Sequence, residues 1–145
     1  MPFLVAVQRT MPIFKHYDAE CNVLYEAGSG VVTLAELVAH RNSLLSLPIR
    51  SGIRCFAEYS RAKVDLDYQQ MLSLVEPTKE VVGDKEFKVA IHTEDDHGFG
   101  IARMYETIHT DDQYDAEVFR SFGEACKWLD LPVNETQQLF ERLMS

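Results

Sequence analysis

At 145 residues, with 46% hydrophobic and 26% charged side chains, the chain has the balance of one soluble globular core and not that of a disordered segment or a multidomain array. Fourteen basic against twenty-three acidic residues leave a formal charge of −9 with no basic cluster, a field that repels nucleic-acid backbones and anionic membranes. No apolar run approaches the ~20 residues of a bilayer span, and "MPFLVAVQRT" has neither the basic start nor the long apolar stretch of a secretory leader. A cytoplasmic location is therefore expected, with no nucleic-acid or membrane partner.

Met1 and Met11 both read as starts, the residues between them being either outside the true chain or an added edge strand. "IFKHYDAECNVLYEAGSG" predicts a β-hairpin turned at Asp18 to Asn22, because Val23, Leu24 and Tyr25 are strand formers flanking a polar turn. In "TLAELVAHRNSLLSLP", Thr33 and Glu36 match a capping box, Leu34, Leu37, Val38, Leu44 and Leu45 share a helical face, and Pro48 ends the helix. "GIRCFAEYS" reads as a buried strand followed by a polar loop over 60–67. One helix over "DYQQMLSLVEPTKEVV" is expected next, capped by Asp67 and Gln70 and kinked or stopped by Pro77.

"EFKVAIHT" is the clearest buried strand, and "FGIARMYETI" follows as a helix presenting Ile101, Ala102, Tyr105 and Ile108 on one side. "AEVFR" is a short strand. "SFGEACKWLDLP" is a helix with Ser121 and Glu124 as a capping box and Pro132 as its stop. A last amphipathic helix, "NETQQLFERLMS", carries Leu139, Phe140, Leu143 and Met144. From the first helix onward helices and strands alternate, which predicts an α/β layer structure with parallel strands joined by right-handed crossovers and an antiparallel hairpin at the edge.

At "FGIARMYE", and again at "VFRSFGEACKWLDLP" with its Trp128–Leu129 pair, the chain resembles the small bacterial STAS-like, or SpoIIAA-like, proteins, a group named for sulfate transporters and anti-sigma factor antagonists. The resemblance implies one domain over 1–145, with a core of about 12–132 and an extra C-terminal helix over 133–145. It also implies a mixed sheet of four to five strands packed by four to five helices, and a non-enzymatic role in regulation or protein contact. In the antagonists a serine in an Asp-Ser-Ser/Thr-Gly turn is phosphorylated. Here the corresponding stretch is "EYSRAKVDLD", so Ser60 is the only candidate it offers for phosphorylation; no acid directly precedes it and no glycine follows, and the switch motif is absent.

"HTEDDHGFG" concentrates two histidines, three acids and two glycines. His92 and His97 are five apart, not the four that place two rings on one side of a helix, so no metal site is indicated. Arg103 stands where a dinucleotide fingerprint has its third glycine, and Asp95 and Asp96 would repel phosphate at the helix start, so no cofactor is indicated either. The simplest expectation is that Asp95 or Asp96 caps the helix while Gly98 and Gly100 permit a tight entry. Cys21, Cys55 and Cys126 form no spaced pair and read as inert thiols. His16, His40 and His109 have no patterned partners, and Glu58 and Asp65 are acids whose pairing sequence separation cannot establish.

Two surfaces remain. Ligands bind at the carboxyl ends of parallel strands, so Tyr59, Ser60, Arg61, Asp95, Asp96 and His97 are expected to share a ligand- or partner-binding rim. Phe122, Trp128 and Phe140 are expected to form a patch for an unknown protein partner or a second copy of the chain. The leading expectation is a regulatory protein-interaction domain. The alternative is a small-molecule domain, for a lipid or a nucleotide, which would be marked by a concave apolar pocket with convergent polar groups.

Overall fold

The computed structural model describes residues 12–145; the two alternative starts and the added edge strand lie outside the described residues. The predicted hairpin is β1 (Ile13–Asp18) and β2 (Val23–Val32), paired antiparallel and turned at Asn22, whose φ of 56° suits a short amide side chain. Thr33 and Glu36 cap α1 (Leu34–Ser43) reciprocally as predicted. Leu37 and Leu44 are buried, but Leu45 is 47% exposed. The chain tightens into a 3-10 turn at Leu44–Ser46 ahead of Pro48, and that turn rotates Leu45 off the buried face.

β3 (Ile53–Val64) is longer than the sequence suggests. The stretch expected as a loop from Ser60 is strand as far as Val64, because β2 also runs on and pairs Ser29 to Val32 with Arg61 to Val64. A bulge separates the two halves of this ladder, opposite Gly28. A Cβ at Gly28 would lie 3.0 Å from Ala62 Cβ and 3.1 Å from the Tyr59 ring, so only glycine lets the strands approach there.

The helix expected over "DYQQMLSLVEPTKEVV" is two, α2 (Tyr68–Leu72) and α3 (Val75–Val82). Pro77 sits inside the first turn of α3 and does not end it. Its ring would clash with the carbonyl four residues back, at Ser73, and the helix is interrupted there. Next come β4 (Phe87–His92), α4 (Asp96–His109), β5 (Tyr114–Phe119), α5 (Phe122–Trp128) and α6 (Val133–Met144). Ser121 caps α5 by accepting from the Glu124 amide.

The described residues form one five-stranded mixed sheet in the order β1-β2-β3-β4-β5, with β2 to β5 parallel. Strand alternation divides the core. Leu24, Cys55 and Val89 face α1 to α4, with Met71, Leu74 and Tyr105 packed on them. Val23, Phe56 and Ala90 face α5 and α6, with Ala125, Leu129 and Phe140 packed on them.

Among the described residues the β5 edge has no strand beyond it, yet its outward amides are satisfied. The Val118 amide donates to Glu106 Oε2 at 3.0 Å, the Ala116 amide to Thr110 Oγ1 at 3.3 Å, and the Tyr114 amide to Asp111 Oδ1 at 2.9 Å. α4 and the turn after it thus cover the edge with side chains.

Candidate functional site

On the α1–α4 face, the bulge and the end of β3 leave a pocket of about 90 Å3 between the sheet, α2 and α4. Its walls are largely apolar, with Leu66, Met71, Ile91 and Ile101 among them, and Arg41, Tyr59, Tyr105 and Tyr114 also line it. Arg41 lies on α1, one turn past Leu37, and its side chain is only 12% exposed. Its Nη2 donates to Tyr105 Oη at 2.9 Å and its Nε to Thr78 Oγ1 at 3.3 Å. The hydroxyls of Tyr105 and Tyr114 bond at 2.6 Å.

Glu26 is the acid at the base of this cluster, hydrogen-bonded to His40 and 3.9 Å from Arg41 Nη1. Burial pushes its carboxyl up, but the His40 bond and the nearby Arg41 charge outweigh that and hold it below the usual carboxylate range. Burial also disfavours the Arg41 charge, and the oxygens of Tyr105, Tyr114 and Glu26 reverse the effect and raise it. Burial raises the phenol pKa of Tyr59, with the Glu26 charge adding to it. The pocket is therefore an apolar chamber whose polar lining is the fixed Arg41 guanidinium, its Glu26 counter-charge and the phenols of Tyr59, Tyr105 and Tyr114.

Sequence reasoning missed this cluster. His40 has no patterned partner in the sequence, no motif singles out Arg41, and the tyrosines come from distant segments. The available signal was Glu26, an isolated acid in the apolar run "VLYEA", which demands a buried partner.

The six predicted rim residues divide among different tasks. Tyr59 lines the pocket, with Thr93 and Gly98 from the turn after β4. Ser60 is half-buried within β3, its amide donating to Glu58 Oε1 at 2.9 Å, so it lies on a strand and not in the expected loop. Arg61 is an exposed strand residue. Asp95, not Asp96, caps α4 by accepting from the Gly98 amide. A Cβ at Gly98 would run into the Thr93 hydroxyl, whereas Gly100 has open space around it, so only the first of the two glycines is needed for the entry. Asp96 turns the other way, to Arg120 at 2.9 Å, and His97 reaches Asp65 at 3.6 Å.

His92 belongs to the opposite face. It ends β4 level with Glu58 on β3, and its Nδ1 lies 2.9 Å from both carboxylate oxygens. Its Nε2 lies 3.1 Å from Glu94, and its ring meets Phe122 edge-on. Burial opposes its charged form, but the Glu58 hydrogen bond and the charges of Glu58 and Glu94 offset this and raise its pKa. His109 behaves oppositely, pushed down to about 4 by burial and by the Arg41 charge.

The expected patch of Phe122, Trp128 and Phe140 is not presented to a partner as a unit. Phe140 is 4% exposed and packs 5.1 Å from the Phe56 ring, Phe122 leans on the same ring at 5.0 Å, and Trp128 sits tilted against Phe119 under the Lys88 ammonium. The apolar face of α6 closes the sheet of its own chain because β1 and β2 leave that area uncovered. Cys55 and Cys126 are buried, and burial pushes the Cys126 thiol up to about 11, far from a nucleophile's range. Among the described residues no group of three or more His, Cys, Asp or Glu side chains is placed to hold a metal ion. No helix among them is long and apolar enough to cross a membrane.

No family model matches the chain, and no curated protein matches it. A solved structure does: an uncharacterized protein of the DUF3478 family from Shewanella loihica PV-4 shares its architecture at a TM-score of 0.53 and 16% identity, over 81% of this chain and 93% of that one. That protein is described as having a SpoIIAA-like fold. This chain has a SpoIIAA-like fold too. The expectation drawn from "FGIARMYE" and "VFRSFGEACKWLDLP" is met at the level of architecture, including the mixed sheet and its antiparallel edge. Within that SpoIIAA-like frame, the pocket beside the β3 bulge is the concave feature in which apolar walls and polar groups converge.

Proposed function

We propose that this chain is a non-enzymatic, cytoplasmic small-molecule binding domain whose ligand enters the pocket between β3, α2 and α4. The observation that carries the reading is the combination of largely apolar walls with Glu26, Arg41, Tyr59, Tyr105 and Tyr114 in the same lining, which is the make-up of a ligand site more than of a protein-docking face. The buried Cys55 and Cys126, and the exposed Cys21, whose thiol the neighbouring Asp18 charge pushes up, support a binding role over thiol catalysis.

The test is native mass spectrometry of gently purified full-length protein, with Ile101→Trp as a variant that fills the pocket from α4. A small molecule retained by the parent and missing from the folded variant supports the reading. A parent free of adducts whose pocket resonances do not move with millimolar apolar probes overturns it.

A second reading, contact with a protein partner or a second copy of the chain, is favoured by Tyr68 and Leu72, which are 57% and 37% exposed on α2 beside the pocket. Sedimentation at micromolar and at millimolar concentration tests the homodimer form of it, and a monomer at both removes that form.

A further inference from the structure

Resting on the pocket reading, we infer that the ligand is a small apolar carboxylate, its oxygens held by Arg41 and Tyr59 and its hydrocarbon end lodged among Leu66, Ile91 and Ile101. A guanidinium carries five N–H donors in a planar fork. Arg41 spends Nη2 on Tyr105 at 2.9 Å and Nε on Thr78 at 3.3 Å, while the nearest recorded carboxylate, Glu26 Oε2, stands 3.9 Å from Nη1, beyond hydrogen-bond length. Donors of a fixed cation are thus left short of acceptors on a side chain only 12% exposed. Those donors are not sealed from solvent, so a ligand oxygen can reach them and replace water in a charge-assisted hydrogen bond. Among the described residues the Tyr59 hydroxyl also takes no hydrogen bond, and it lines the same chamber.

Glu26 is the group that would favour a cationic ligand instead. Its charge is already shared between His40, bonded to Oε2, and Arg41. An ammonium arriving there would meet the guanidinium's repulsion and leave its unmet donors as they were. A carboxylate meets the Glu26 charge in turn, yet it alone of the two can accept from the free Arg41 and Tyr59 donors, and the planar fork matches its geometry.

Size narrows the class further. A chamber of about 90 Å3 with apolar walls suits a short chain or a single branched end.

The probes are hexanoate and hexylamine, titrated separately into full-length protein at neutral pH and followed by amide and methyl chemical shifts. Hexanoate is expected to bind roughly ten- to a hundredfold more tightly than hexylammonium, the range of a charge-assisted hydrogen bond. Tyr59→Phe removes only a hydroxyl and is expected to weaken hexanoate several-fold. Arg41→Gln is expected to abolish the preference between the probes, and if that variant does not fold, the preference of the parent protein still decides. Hexylammonium binding as tightly as hexanoate, or an undiminished preference in folded Arg41→Gln, overturns the carboxylate inference and leaves the pocket standing. Binding of neither probe overturns both.

Discussion

His92 Nδ1 on β4 lies 2.9 Å from each carboxylate oxygen of Glu58 on β3, a buried ion pair joining two central strands where β4 ends and β3 runs on. The folded protein holds the imidazole pKa above its ordinary value of about 6.5. A base whose pKa is raised by folding stabilises the protein fully below that ordinary value, and the contribution is lost as pH rises through the raised one. Urea unfolding free energies measured from pH 6 upward are therefore expected to decline through this window, and His92→Gln is expected to flatten the decline. An equal slope in the variant would remove the pair as its source.

His109 gives the opposite limb. Its imidazole, stacked 4.0 Å from Tyr105 and pushed down to about 4, stays neutral where the unfolded chain takes up a proton. Between about pH 6.5 and 4 the unfolded state binds more protons, so stability falls on acidification, by at most about 3 kcal/mol from this group. His109→Gln is expected to lessen the acid slope without touching the alkaline one, as measured by the same unfolding series.

Asp95→Ala removes the α4 cap and is expected to cost about 1 kcal/mol. Thermal unfolding reads the loss. Hexanoate affinity is expected to be unchanged, because the capping carboxylate serves the Gly98 amide. A change in affinity larger than the change in stability would give Asp95 a role in ligand contact.

Gly28→Ala is expected to destabilise by roughly 1–3 kcal/mol, the range for overpacking a filled site, since the new methyl would press on Ala62 and the Tyr59 ring. Chemical denaturation checks it, and a neutral result would show that the bulge relaxes freely.

Much of the architecture is legible in the sequence because it is encoded locally. Thr33 with Glu36 and Asp67 with Gln70 cap the helices they precede, and the apolar run "FKVAI" forms a central strand. What escapes is set by register. Ser60 reads as loop because "SRAKV" is polar, yet it is strand because the far end of β2 offers it a partner. Glu58 and His92 are 34 positions apart and meet only because β3 and β4 pair without offset. Arg41, Tyr105 and Tyr114 converge from α1, α4 and β5, and no local spacing links them.

The covered edge of β5 bears on assembly. A filament of sheets needs two complementary free margins per subunit, one to receive and one to offer. Glu106, Thr110 and Asp111 occupy the outward backbone of β5, so that margin offers an incoming strand no free amides. Edge-to-edge growth through β5 therefore cannot propagate, which closes one common route into fibres.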